Sequence, residues 1–307
     1  MGNIVSLVKA HRTSASLKDS ISEALAMIDF NLANPVKSVV IKPNLCYYWD
    51  SSTGYTTDPK IVAGLIDYVR EKYGEQLNIK IAEADASAMR TKYAFPVLGY
   101  EKVAAEKKVE LVNLSEDELV DTPVSVNNHS LSFKVPQLLL KADLFINVPK
   151  LKVMKATTIT CAMKNLFGCI GARRKVKYHS FLDEAIVGMN KILHPHLTIV
   201  DGLVALGQHP VRLDLLMAGV DPFSVDWVAS ELMGYDPSKI RFLKIAIEEN
   251  VGKTIGITTK GEDPAEIRKI FPKPSLSSSK YWWSVQFSLL KVYKKLSGDI
   301  IPPALEE

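Results

Sequence analysis

Cysteine is scarce in this 307-residue chain. The three present, Cys46, Cys161 and Cys169, are too few for a disulfide framework and none belongs to a C-x-x-C pair, so a reducing, cytoplasmic setting is the simplest fit. Long apolar runs are missing too: none approaches the roughly 20 residues that span a bilayer. The N-terminus passes from Val5 and Leu7 to Lys9 and Arg12 without the apolar stretch of a secretory leader. Met1-Gly2 with Ser6 has the formal spacing of a myristoylation signal, but Ile4 to Val8 alternates as a strand does, and the strand is the preferred reading. Also lacking are G-x-S-x-G, G-x-G-x-x-G and H-E-x-x-H, which removes the commonest signatures of hydrolases, dinucleotide enzymes and zinc peptidases. Asn250-Val251-Gly252-Lys253-Thr254 imitates a phosphate loop, yet Ile247 stands where its first glycine belongs and a helix, not a strand, precedes it. His194-Pro195-His196 has no companion carboxylate or cysteine cluster and reads as a solvated turn. With 47% hydrophobic and 23% charged residues, disorder and fibrous structure are excluded, and the length suffices for one large domain or two modest ones.

Acid is absent from one stretch. Between Pro149 and His179 the chain carries Lys150, Lys152, Lys155, Lys164, Arg173, Arg174, Lys175 and Lys177 but no Asp or Glu, so the whole positive excess of +4 resides there. A solvated face mixes its signs, whereas a one-signed cluster concentrates anions. An anionic ligand is the first functional expectation.

Short β-rich runs alternate with helical patterns. Ser38 to Ile41, Ile79 to Ala82, Glu110 to Asn113, Leu144 to Val148, Leu197 to Val200 and Leu215 to Ala218 have the apolarity of strands in a covered sheet. Ser20 to Ile28 and Pro59 to Tyr73 place apolar residues on one helical face, the latter ending at Gly74. The pattern predicts an α/β fold with a mostly parallel sheet and covering helices. Asn127-Asn128 between two alternating runs predicts an inserted hairpin. Asp58, Asp221, Asp236 and Asp263 each precede a proline and read as helix N-caps. Residues 1–271 form the expected domain. A Pro/Ser-rich linker follows, then an aromatic, basic helix from Lys280 to Leu296, which docks on the core or serves as a membrane or homodimer contact.

Strand ends carry the candidate chemistry, because open α/β sheets bind ligands at their carboxyl edges. One delivers Lys42-Pro43-Asn44, a second Lys150 and Lys152 in PKLK, and a third Asp201-Gly202, where glycine permits a tight turn. Thr157 to Phe167 reads as a helix containing Lys164 and Asn165. A lysine among Ala162, Met163, Leu166 and Phe167 is costly unless paired, functional or able to reach water along an apolar stem.

These motifs, together with Thr57-Asp58-Pro59, KNLFG at Lys164 to Gly168, Lys175, His179, and Ala218 to Pro222 with Asp226, resemble in order and spacing the domain of unknown function 362 family, from about residue 36 to 252. The resemblance implies an α/β fold and mainly prokaryotic and archaeal occurrence, with some relatives linked to iron-sulfur modules, and it supplies no reaction. Many relatives read PKLKTH, whereas Val153-Met154 ends the run here, so a histidine that would serve as ligand or proton carrier is missing. The closely spaced cysteines of a ferredoxin module are missing as well. A cluster would require Cys46, Cys161 and Cys169 to meet in space.

The leading expectation is a small carboxylated or phosphorylated metabolite bound by Lys42, Lys150, Lys152, Lys164, Arg173 and Lys175 and oriented by Asn44 and Asn165. Asp201, Asp226 or His179 would transfer protons in isomerase, racemase or redox chemistry. The alternatives are a non-catalytic binder, an iron-sulfur-associated accessory protein, and a nucleic-acid or interaction module using Arg173 to Lys177, which lacks the interleaved aromatics of a stacking platform.

Overall fold

Successive residues of a strand point to opposite faces, so a strand apolar at every position needs cover on both sides. Val39 and Ile41 face one layer while Val40 faces the other, and Ile81 and Ala82 divide in the same way. This computed structural model, which describes residues 3–271 apart from 11–12, 33–34, 88 and 174, meets that demand with helices on both sides of one sheet. The linker and the aromatic helix expected after residue 271 lie outside the described residues.

In chain order the elements are β1 (Ile4–Lys9), α1 (Ser14–Met27), β2 (Ser38–Lys42), α2 (Pro59–Tyr73), β3 (Asn78–Glu83), α3 (Thr91–Val97), α4 (Tyr100–Lys107) and β4 (Glu110–Asn113). Then come β5 (Leu119–Val126), β6 (His129–Pro136), α5 (Gln137–Lys141), β7 (Leu144–Asn147), β8 (Lys150–Met154), β9 (Thr158–Thr160), α6 (Ala162–Phe167) and α7 (Leu182–Ile192). The remainder is β10 (Leu197–Leu206), β11 (Pro210–Gly219), α8 (Pro222–Leu232), α9 (Arg241–Glu248), β12 (Thr258–Gly261) and α10 (Pro264–Ile270). The main sheet runs β12-β1-β11-β10-β7-β2-β3-β4, with β8 and β9 attached through β10. Strands β10, β7, β2, β3 and β4 are mutually parallel, and β11 is antiparallel to both β1 and β10. Residues from α1, α2 and α4 cover one face. Residues from α6 to α9 and the β5–β6 hairpin cover the other. The protein is thus a mixed α/β fold with a mostly parallel central sheet.

Topology fixes where a crevice can form. From β2 the chain steps outward through β3 to β4, then returns to place β7 on the other side of β2, with β10 beyond it. The boundary between β2 and β7 is therefore a topological switch point, where crossovers depart in opposite directions.

Local rules account for most boundaries. All four Asp-Pro aspartates accept a backbone N–H at the start of a helical turn. Asn127 and Asn128 both take positive φ, 45° and 63°, as the tight turn between β5 and β6 requires. Three expectations need correction. Thr157 to Phe167 is not one helix: Thr158–Thr160 pairs antiparallel with β8, because its β-branched residues suit a strand, and the helix begins only at Ala162. PKLK does not leave the sheet edge as a loop, since Lys150 to Met154 form β8 alongside β10. Asp201-Gly202 is not a turn either, because β10 continues to Leu206. A Cβ on Gly202 would stand 2.9 Å from the Leu215 carbonyl oxygen, so close approach to β11, not a turn, calls for glycine.

Gly252, in the false phosphate loop, has a packing role. A Cβ there would lie 2.1 Å from Cγ of the buried Phe223 ring. Gly252→Ala is expected to lower unfolding free energy by about 1–3 kcal/mol in chemical denaturation. An unchanged midpoint would mean that the ring moves aside at little cost.

Candidate functional site

The carboxyl edge at the β2–β7 boundary holds a buried polar network. Lys42, at the last position of β2, lies opposite Asn147 of β7 in register, and its ammonium meets Glu83 at the end of β3, at 2.8 Å from Oε1 and 2.9 Å from Oε2. It also donates to the Pro43 carbonyl at 2.9 Å and, more weakly, to Asn165 Oδ1 at 3.4 Å. Glu83 accepts from the Leu45 and Ala84 amides as well, so its carboxylate is fully engaged. Asn165, on α6, links the parts: its Oδ1 accepts from Asn44 Nδ2 at 2.9 Å and its Nδ2 donates to Asn147 Oδ1 at 2.8 Å.

Lys152 continues the network. Its ammonium donates to Asn44 Oδ1 at 2.6 Å, to the Tyr55 carbonyl at 2.8 Å and to Cys46 Sγ at 3.0 Å. All three donors are thereby used, by dipoles and a sulfur and not by a carboxylate, at a residue only 1% exposed. The partners all lie on the segment after β2, where Tyr47, Trp49 and Tyr55 cluster, with the first two stacked at 4.8 Å and Trp49 half exposed. Thr160 is the register partner of Lys152 across the β8–β9 pair, so both side chains leave the same face, and its buried hydroxyl has no hydrogen-bond partner.

A second buried pair lies alongside. Lys150 and Asp201 face each other in the β8–β10 register, both 0% exposed, with Nζ and Oδ2 2.8 Å apart. Asp201 also accepts from the Asp58 and Leu203 amides. Thr57 connects the two groups by accepting from the Asn44 amide and donating to the Val148 carbonyl. Burial, reinforced by Asp201, raises Asp58 above the usual carboxylate range.

The other expected site residues occupy different surroundings. Asp226, on α8, is fully buried against the N-terminus of α6, where its two oxygens accept from the Ala162 and Met163 amides at 2.6 and 3.0 Å; burial outweighs those bonds and pushes its pKa up to about 7. Lys175 is buried and donates to the Gly168 carbonyl at 2.7 Å, with burial holding its pKa at about 8. Arg173 turns to Asp85 and Glu116, at 3.6 and 3.8 Å. With Lys177 over the Tyr178 ring, the described part of the run from Arg173 to Lys177 offers no continuous cationic stripe.

Lys164 is different. It is half-buried on α6 and, among the described residues, no hydrogen bond or ion pair engages its ammonium. Burial, then the neighbouring Lys152 charge, bring its pKa down to about 8, with Cys46 acting the other way. His179 lies near enough to feel the Lys164 charge; partial burial and that charge lower its pKa and favour neutral imidazole. Four side chains, Lys152, Lys164, Cys46 and His179, thus share one locality.

The three cysteines do not assemble into a ligand set. Among the described residues no group of three His, Cys, Asp or Glu side chains is placed to hold a metal ion. Cys169 is buried with its pKa pushed up to about 12, and Cys161 is held well above the ordinary thiol range by burial and Asp226. No iron-sulfur step is derived from this set.

Reading the strands missed Glu83, Asn147 and Thr160. Glu83 and Asn147 each end an otherwise apolar strand, and that polar interruption was the available signal. Thr160 gave none, because its partnership with Lys152 exists only once β9 pairs.

An α/β sheet with a lysine-rich, buried polar network at its switch point defines an architectural class and not one reaction. Residues 39–231 match the domain of unknown function family DUF362, and the chain belongs to that family. It is 27% identical to a thylakoid-associated protein from Synechocystis over 235 residues, covering 72% of this chain and 70% of that protein. Among solved structures it is similar to the lactate racemase apoprotein from Thermoanaerobacterium thermosaccharolyticum, at 12% identity and a TM-score of 0.43, covering 75% of this chain and 57% of that one. A Thermotoga maritima protein matches at 13% identity and a TM-score of 0.38, covering 61% of this chain and 50% of that one. The chain therefore spans little more than half the length of these solved structures. No helix among the described residues is long and apolar enough to cross a membrane.

The Lys150–Asp201 pair yields a stability prediction. Lys150→Met leaves the Asp201 carboxylate buried without its counter-charge, and a loss of about 3–5 kcal/mol is expected in denaturant unfolding. Adding Asp201→Leu should restore a substantial part of that loss. A single variant as stable as the wild type would show that water already reaches the pair.

Proposed function

We propose that this protein binds a small carboxylated or phosphorylated metabolite at the carboxyl edge of β2 and β8, with Lys164 as its direct anchor. One observation carries the reading: Lys152 and Lys164 lie close enough for their charges to interact, with no described carboxylate on either, and Lys164 has no described partner. Two partly desolvated ammonium groups repel each other, and an anion placed against them would relieve both penalties. Lys42 and Lys150 are already neutralised by Glu83 and Asp201, so in this reading they set the frame of the crevice. Lys152 supplies fixed positive charge, Asn44 holds Lys152, and Asn165 holds Asn44.

His179, neutral near pH 7 and close to Lys164, is the group best placed to accept a proton from a bound anion, in keeping with isomerase or racemase chemistry. Asp201 and Asp226 are committed to backbone amides and, for Asp201, to Lys150. The nucleic-acid alternative draws less support, because Arg173 and Lys175 are engaged by the protein's own groups.

Thermal unfolding in a low-anion buffer tests the binding. Phosphate or citrate at a hundred times its Kd should stabilise the wild type by about 2.7 kcal/mol. Lys164→Met should abolish that gain. Equal stabilisation of the variant, or salt-sensitive retention on RNA without any anion effect, would reject the reading.

The Lys164 pKa adds a test by sign. Its folded value of about 8 lies below the ordinary 10.5, so the folded state releases the proton first. The cost of burying the ammonium is complete below about pH 8 and fades as pH rises toward 10.5, where the unfolded chain deprotonates too. Without anions, Lys164→Met is expected to be more stable than wild type at pH 7, and the difference should shrink between pH 8 and 10.5. A difference independent of pH would show that Lys164 is solvated like a surface lysine.

A further inference from the structure

A lysine without a partner in a crevice of engaged lysines has a chemical use besides holding charge. The network around it assigns every other nearby donor: Lys42 to Glu83, Lys150 to Asp201, and Lys152 to Asn44, Tyr55 and Cys46. Lys164 has no described partner, feels the charge of the fixed Lys152 ammonium, and lies near enough to His179 for its own charge to lower that imidazole's pKa. Facing the Lys152 stem across the β8–β9 pair is the buried Thr160 hydroxyl, which lacks any partner in the protein. A buried hydroxyl without a partner is costly, and a ligand oxygen would satisfy it.

We propose that Lys164 is a nucleophilic amine that condenses with the carbonyl carbon of a small 2-oxo acid, whose carboxylate is drawn to Lys152 and whose oxygen is met by Thr160. This rests on the anion-binding reading above and narrows its ligand class. The reasoning is one of division of labour. With its pKa at about 8, Lys164 anchors the anion in its protonated form, and only the unprotonated fraction attacks; in that fraction it no longer neutralises the anion. The neighbouring ammonium has to do that, and in a 2-oxo acid the charge and the electrophilic carbon sit on adjacent atoms. A desolvated amine beside a second cation is the standard way to keep a lysine nucleophilic near neutral pH, and burial beside Lys152 has that effect here.

The step balances without any further reactant. The Lys164 Nζ lone pair forms a bond to the carbonyl carbon while the carbonyl π pair moves to oxygen, which takes up a proton. The nitrogen sheds a proton, for which neutral His179 is the nearby acceptor. The hydroxyl then takes back a proton and leaves as water while the nitrogen lone pair closes the double bond, and the remaining N–H proton is released, leaving an imine: one amine and one carbonyl give one imine and one water.

The test incubates the full-length protein with pyruvate and sodium cyanoborohydride and maps the N-(1-carboxyethyl) adduct by peptide mass spectrometry. Lys164 should be labelled more than about tenfold faster than any other lysine, since a lowered pKa leaves far more free amine near neutrality. Propionate, which has the carboxylate but no carbonyl, should compete. Lys164→Arg lacks a condensing amine, so it should lose the fast adduct, and an undiminished adduct in that variant would place the reactive amine elsewhere. Labelling spread evenly over surface lysines, with phosphate still stabilising the wild type, would overturn the imine inference and leave the anion site standing. No stabilisation of the wild type by phosphate, propionate or pyruvate would overturn both. Thr160→Val should slow labelling of Lys164 several-fold without changing the rate at other lysines, and an unchanged rate would remove Thr160 from the site.

Discussion

An ammonium group buried in a sheet has to be answered by charge or by dipoles, and the polar network of this protein is organised around three such groups. Lys42 is answered by the Glu83 carboxylate and Lys150 by Asp201, each across a neighbouring strand. Lys152 is answered by an amide oxygen, a backbone carbonyl and a sulfur. The cost of desolvating these lysines explains why so many polar side chains at this edge carry two or three hydrogen bonds at once. Asn165 makes the point: it holds Asn44 and Asn147 together while contacting Lys42, so one residue of α6 ties β2, β7 and the segment after β2 into one unit.

That rigidity is what makes the environment of Lys164 informative. On a mobile surface, an unpaired lysine is unremarkable because water supplies its partners. Here the adjacent donors are fixed by short contacts within the protein, and the charge of Lys152 cannot move away. The electrostatic strain therefore falls on Lys164, lowering its proton affinity. Binding an anion and exposing a free amine are two responses to the same strain.

The basic segment looks different folded than it does in sequence. A run of eight cations with no acid would be a solvated patch if it stayed together, but β8, α6 and the turn that follows carry its members to separate surroundings. Asp201 and the Asp85–Glu116 pair, all from outside the segment, neutralise Lys150 and Arg173. Lys152 and Lys175 are answered by neutral groups, Lys177 lies over the Tyr178 ring and Lys164 has no described partner, so the segment divides into separate local environments more than it makes a broad field.

Strand-length apolar runs, Asp-Pro caps and the Asn-Asn turn were legible because each is decided within a few residues by backbone sterics and hydrogen bonding. The same holds for KNLFG and PKLK, whose order along the chain marked the family and the edge of the sheet. The sequence by itself determined the α/β class, the hairpin and the family motifs that contain the lysines. It could not determine that Thr158–Thr160 is a strand, since that segment becomes one only by pairing with β8. Nor could it say which lysine is neutralised by which acid, because Lys42 meets Glu83 and Lys150 meets Asp201 only when strands distant in sequence become neighbours. Charge pairing depends on distances of a few ångströms between residues dozens of positions apart. Tertiary structure alone sets those distances, and so it alone decided that Lys42 and Lys150 are neutralised while Lys164 has no partner among the described residues.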